Sequence, residues 1–357
     1  MIGGCKMRWL SVALIVVLGA GCGGEKKTPK SKFTAGEVAA NIEILKDESK
    51  SKFQRGKAAQ NLAQAPEYDE ATAALIEVAK SQTDPEVRQE VILALCDHAR
   101  RHKEVVKVLV DLAKDKDARI RKTVADALGN VTRKGTLEGL ITLLGDKEAD
   151  VRRVALSSLA KLGECPPPDV LKKLVQDKEK DIAEAATQFV LKHIDNPDVD
   201  YSEVVVVALG SKDGTVLQVA CEAAGKGRVV KAAEQVKKLL GHKLAVVRAA
   251  AAKAAGLLDL RDAAKDVAGL VYDADEQVVV AALKALAKIG SPQQTTAILA
   301  GLKNESSDAV REAAIKTVKT LHLADPKIIE ALKFIKQNDP ATKLRELAEE
   351  ALSELGR

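Results

Sequence analysis

From about residue 35 to its end, this chain repeats one pattern of apolar and polar positions. Apolar residues recur at three- and four-residue intervals and two-residue alternation is absent, which predicts helices and no strands. In residues 104–114, Val105, Val108, Leu109 and Leu112 form one apolar stripe, and a second stripe follows over residues 117–131. Two helices per unit are therefore predicted. The clearest marker of each unit is an aliphatic residue followed by Arg in its second helix: Val87-Arg88, Ile120-Arg121, Val151-Arg152, Val247-Arg248, Val310-Arg311 and Leu344-Arg345. Weaker copies stand in phase at Gln54-Arg55, Ile182, Val216 and Val278, and Arg is replaced at Ala183, Leu217 and Val279. Successive markers lie 31 to 34 residues apart, so ten units fill the body. A domain count taken from length alone does not apply to such a chain.

Two further positions have a physical reason. Asp84, Asp117, Asp213 and Asp275 stand three residues before the marker, where a short carboxylate caps the free N–H groups of a helix start. Four residues after the marker stands Ala155, Ala186, Ala220, Ala251, Ala282, Ala314 or Ala348, small enough for helix axes to approach within about 8–10 Å. The run from Gly163 through Pro166, Pro167 and Pro168 reads as a stiffened loop between repeats, with Pro168 suited to begin a helix. No separate domain is read inside residues 35–357.

The pattern Asp-x-x-Val-Arg-x-x-Ala at this period resembles HEAT repeats, especially the short HEAT-like repeats of phycobilisome lyases. The resemblance implies an all-α fold, an α-α superhelix of about ten two-helix repeats over residues 35–357. It also implies that Asp and Arg of neighbouring units form a polar ladder, which makes Arg88, Arg121, Arg152 and Arg248 structural. Since each repeat touches only its neighbours, the end repeats need polar outer faces. Lys50, Lys52, Lys57 and Gln60 supply one, and Glu346, Glu349, Glu350 and Glu354 the other.

Ahead of the repeats, Met7-Arg8 begins a basic start, an apolar stretch of about a dozen residues and then Gly19-Ala20-Gly21-Cys22. So short an apolar run suits a signal peptide better than a bilayer span. Its end resembles the lipobox of bacterial lipoproteins, with Gly19 where that motif usually has Leu. The resemblance implies removal of residues 1–21, a diacylglycerol thioether on Cys22, and an acyl chain such as palmitate on the new amino group. Residues 22–34 then read as a flexible membrane tether. Gly23 is not Asp, so the resemblance implies the periplasmic face of the outer membrane rather than inner-membrane retention.

Composition changes the picture in one direction. The net charge of +5 lies wholly in the first 32 residues, leaving 50 basic and 50 acidic residues from Phe33 onward. A neutral body argues against nucleic-acid binding, which needs a positive field. Aromatics make up 2% of the chain, too few for an aromatic-walled substrate pocket. His98 and His102 share a helix face near Cys96, but neighbouring Arg100, Arg101 and Lys103 would repel a metal, and no metal or other cofactor is expected. None of the five His precedes Glu, so the His-Glu pairs of HEAT-like iron hydroxylases are missing. Gly210, Gly225 and Gly227 lack a phosphate-loop frame and read as ordinary helix ends. Cys165, beside three Pro, reads as exposed, and Cys96 and Cys221 as small core residues.

The expectation is a membrane-anchored protein-interaction scaffold of the bacterial cell envelope, without catalytic residues; the alternative is a HEAT-like lyase or another protein-modifying enzyme or enzyme subunit. Binding is expected on the second helices. Six places after the marker stand Lys253, Lys284 and Lys316, and ten places after it Lys161, Lys192, Lys226 and Lys288. Acidic residues at these offsets, Asp97, Asp126 and Glu222, lie mainly toward the other end. This lysine column would attract an acidic protein partner.

Overall fold

The structure, a computed structural model, describes residues 32–357 except 82, 83 and 291. The signal peptide, Cys22 and most of the tether lie outside the described residues. Those described form helices and turns with no strand, and no helix among them is long and apolar enough to cross a membrane.

The helices group into two compact units that divide between Pro166 and Pro167, inside the proline-rich run. The first unit holds four helix pairs: α1 (Ala35–Lys46) with α2 (Lys52–Ala63), α3 (Asp69–Lys80) with α4 (Pro85–His98), α5 (Lys103–Leu112) with α6 (Ala118–Gly129), and α7 (Thr136–Leu144) with α8 (Ala149–Leu162). The second unit holds six: α9 (Pro168–Leu174) with α10 (Lys180–His193), α11 (Ser202–Ala208) with α12 (Gly214–Lys226), α13 (Ala233–Leu239) with α14 (Ala245–Leu257), α15 (Ala264–Gly269) with α16 (Glu276–Ile289), α17 (Thr295–Leu302) with α18 (Asp308–Leu321), and α19 (Pro326–Asn338) with α20 (Thr342–Glu354). These are the ten two-helix repeats read from the markers. Pro168 opens α9 as expected, since its fixed φ suits a first helical position.

Within each unit the chain is an α-α solenoid of two layers. Second helices pack on second helices, α2 on α4, α4 on α6 and α6 on α8 in the first unit, and α10 through α20 in the same way in the second. First helices form the other layer. Small residues set this spacing: Ala155, Ala186, Ala220, Ala251, Ala282, Ala314 and Ala348 are each 0% exposed. A larger side chain at any of them would have to displace a neighbouring helix.

Helix starts follow the sequence reading. Asp84, Asp117, Asp213 and Asp275 are N-caps, each accepting a backbone N–H from the first turn. Thr34 with Glu37 and Ser51 with Gln54 build reciprocal capping boxes at α1 and α2. Gly210 and Gly227 stand at helix ends as read, and Gly225 is the correction. Gly225 is buried in the last turn of α12 with φ outside the left-handed region, and a Cβ there would meet Leu257 Cδ1 at 2.8 Å and Ala254 Cα at 3.1 Å. It permits close approach of α14 and does not turn the chain. The left-handed residue at that end is Arg228, φ 49°.

Candidate binding surface

The interior polar groups are consumed by structure. In the first unit Arg88 Nη2 donates to Asp115 at 2.5 Å, and Arg121 makes two bonds to Asp146, of 2.5 and 2.8 Å. In the second unit Arg248 grips Asp273 at 2.7 and 2.8 Å, and Arg311 grips Asp339 at 2.7 and 3.3 Å. Each pair ties a second helix to the interhelix turn of the next repeat. The second guanidinium edge turns back on its own repeat: Arg121 Nη1 reaches the Asp115 and Lys116 carbonyls, and Arg248 Nη1 those of His242 and Lys243. Arg152 makes the same return bonds to Asp146 and Lys147.

The ladder carboxylates are not the cap residues. Asp115, Asp146, Asp273 and Asp339 stand ahead of the cap position, where Oδ1 also accepts the backbone N–H two residues on. Burial alone would raise the Asp146 carboxyl, but the Arg121 hydrogen bonds, helped by the Glu148 N–H, outweigh it and hold the group below the usual carboxylate range. At Asp273 the bond from Arg248 is the leading influence, again downward.

His98 is also structural. It is 0% exposed, with Nε2 2.9 Å from the Leu62 carbonyl and Nδ1 2.7 Å from Thr72 Oγ1. The carbonyl can only accept, so Nε2 carries the proton and Nδ1 accepts from the threonine hydroxyl. Both ring nitrogens are occupied, and His102 Nε2 faces the Pro66 carbonyl at 2.8 Å. Desolvation lowers the His98 pKa from its ordinary 6.5. The unfolded chain therefore binds this proton more readily. The stabilisation from His98 is fully present above about pH 6.5 and is lost as pH falls below it. Urea midpoints should drop between pH 7 and pH 5, and drop less in His98→Gln; equal slopes in both proteins would exclude His98 as the cause.

No group of three or more His, Cys, Asp or Glu that could hold a metal ion occurs among the described residues. Burial pushes the Cys96 and Cys221 thiols up to about 12, which makes them poor nucleophiles. Cys165, expected to be exposed, is half-buried beside Pro166.

All seven column lysines, Lys253, Lys284, Lys316, Lys161, Lys192, Lys226 and Lys288, are exposed on second helices. The structure divides them by partner. Lys316 pairs with Glu312 at 2.6 Å, Lys226 with Asp195 at 2.7 Å, and Lys161 donates to Asn130. Lys192, Lys253, Lys284 and Lys288 form no ion pair among the described residues. Spacing gave their exposure but could not show which carboxylates reach them.

Sequence reasoning missed the exposed aromatics. Phe53 on α2 is 82% exposed, amid the lysines read as a polar end face. Phe334 on α19, 66% exposed, lines a cleft of about 730 Å³ with Leu302, Ala331 and Ile335. The cleft exists because α19 has 13 residues and α17 only 8, so the longer helix overhangs the turn after Leu302. A break in the apolar period of α19 was the available signal, since Ala331, Leu332 and Ile335 already fill its buried stripe.

The sequence matches the profile of HEAT repeats at residues 72–160, 120–192, 233–319 and 267–353. The chain belongs to the HEAT-repeat family. Its fold is similar to the crystal structure of an engineered protein determined by the Northeast Structural Genomics Consortium. That likeness has a TM-score of 0.53 and 20% identity, covering 90% of this chain and 99% of the other. At that identity it speaks for the fold alone. No curated protein matches the sequence. The markers Val151, Val247 and Val310 face the repeat interior, each 0–1% exposed.

Proposed function

We propose that this HEAT-repeat protein is a lipid-anchored interaction scaffold of the bacterial cell envelope, held by acyl groups on Cys22 at the periplasmic face of the outer membrane. Its repeats present a binding surface for an acidic protein partner. The observation that carries the reading is the contrast between interior and surface. Buried Arg, Asp and His side chains are spent on neighbouring repeats, whereas Lys192, Lys253, Lys284 and Lys288 stand exposed and unpaired. Free ammonium groups in register steer an acidic partner at long range and reject a basic one. The lyase alternative has less support: His98 is engaged at both ring nitrogens, and burial keeps the Cys96 and Cys221 thiols neutral.

The anchor is tested directly. One acyl chain binds bilayers only marginally and several bind stably, so Cys22→Ser should move the protein from the membrane to the soluble fraction or leave it unprocessed. Fractionation with mass spectrometry of the amino-terminal peptide reads both outcomes. A Cys22→Ser protein that is processed and remains membrane-bound would remove the lipidation reading.

A further inference from the structure

The second helix α14 (Ala245–Leu257) presents apolar side chains to solvent. Six second helices begin at a side chain that caps the backbone: Ser51, Asp84, Asp117, Asp213, Asp275 and Ser307. Helix α14, like α8, α10 and α20, has no side-chain cap: its N-cap Leu244 offers only its backbone carbonyl and is 40% exposed. Its first turn carries no acidic residue, although one there would favour the helix dipole. Val246 is 56% and Leu257 44% exposed, and the helix contains no carboxylate at all. What distinguishes α14 is the exposed apolar stripe together with the absence of any carboxylate along the helix.

Positions 246, 253 and 257 share one face by helical spacing. The stripe spans about 16 Å along the axis, some three turns. Helix α16 packs alongside, and its only carboxylate is Glu276 at its first residue, while Lys284 and Lys288 stand free on its outer face. Lys253 and Lys284 occupy the same repeat position on adjacent helices. The clamp of Arg248 on Asp273 fixes these two repeats to each other.

We infer that Val246, Lys253 and Leu257 of α14, with Lys284 and Lys288 of α16, dock an acidic amphipathic segment of a partner protein, which presupposes the scaffold reading above. The segment's carboxylates meet the three ammonium groups, and its aliphatic side chains cover Val246 and Leu257. Charge complementarity selects this occupant over others. The neighbouring second helices carry Glu222 on α12, Glu312 on α18 and Glu350 on α20. A narrow segment avoids them, whereas an anionic bilayer lying flat would meet them.

The test uses the full mature chain and three probes: a helical peptide with Glu and Leu on one face, a polyglutamate peptide of equal charge, and phosphatidylglycerol vesicles. The amphipathic peptide should bind, and polyglutamate at least about ten-fold more weakly, because area burial adds to charge attraction. Both Lys253→Glu with Lys284→Glu and Val246→Ser with Leu257→Ser should weaken the peptide about ten-fold or more, with circular dichroism confirming the fold. Lys161→Glu with Lys226→Glu should change it less than about two-fold, since those lysines are already engaged. The docking site is overturned by polyglutamate binding equally, by vesicles binding with the same residue dependence, by an equal loss in the control pair, or by no peptide binding. Crosslinking in native membranes separates the two readings. Partners kept by the Lys253→Glu, Lys284→Glu protein overturn the docking site and leave the scaffold; a wild-type chain that crosslinks to no protein overturns the scaffold itself.

Discussion

Asp146→Ala should destabilise the first unit by about 3–5 kcal/mol, because it leaves the Arg121 guanidinium buried without its carboxylate. Both side chains are under 10% exposed, so water cannot take the place of the lost oxygens. The second unit offers the remedy. Where the ladder arginine is replaced at Ala183 and Leu217, the partner position five residues before the next marker has lost its carboxylate as well, being Ser211 and His242, whereas for Val279 that position is Glu305. Arg121→Val with Asp146→Asn removes both charges together and should recover most of the loss, since replacing both partners of a buried pair is often neutral. Urea denaturation of the two single variants and the double variant gives the coupling directly. A single-variant loss under about 1 kcal/mol would place the ladder among ordinary surface ion pairs.

Gly256→Ala should also destabilise, against the expectation from helix propensity. In an open helix, Ala is favoured over Gly by about 1 kcal/mol. Here the new Cβ would lie 2.9 Å from Ala285 Cα and 3.1 Å from its Cβ, so the backbone of α16 must move. Overpacking costs roughly 1–3 kcal/mol, and Gly256→Val should reach the upper end. Gly36 in α1 is the control, with nothing within 4 Å of its added Cβ, and Gly36→Ala should be neutral or stabilising. Hydrogen exchange should rise first in α14 and α16, as nearest-neighbour coupling requires. A stabilised Gly256→Ala protein would show that the helices can separate at little cost.

The repeats were legible because their markers answer one-body requirements. Val247 must be apolar, Ala251 small and Asp275 a short acceptor, and each demand can be read from a single residue type. The ladder is a two-body requirement. Asp115 and Asp117 look alike in sequence, and only the fold shows that one bonds Arg88 while the other caps α6. The joint loss of Arg and Asp at the Ala183 and Leu217 junctions was a readable sign, but only once the partner register is known. Gly129, Gly225 and Gly256 recur nine places after their markers, a signal that close packing rather than chain reversal explains. The lysine column was legible as exposure and not as availability, because Glu312 and Asp195 come from neighbouring turns and helices.

The uneven ladder also sets how the second unit carries load. Among its six repeats, the seventh is clamped to the eighth by Arg248 and Asp273, and the ninth to the tenth by Arg311 and Asp339. The junctions at Ala183, Leu217 and Val279 lack that clamp and hold by apolar packing with lesser polar contacts: Lys180–Asp213 and Lys226–Asp195 at the first, Lys231–Glu203 at the second, and the Thr317 hydroxyl donating to the Leu283 carbonyl at the third. Pulled from its ends, such a unit yields first at the unclamped junctions: the fifth and sixth repeats part singly, whereas the seventh leaves with the eighth and the ninth with the tenth.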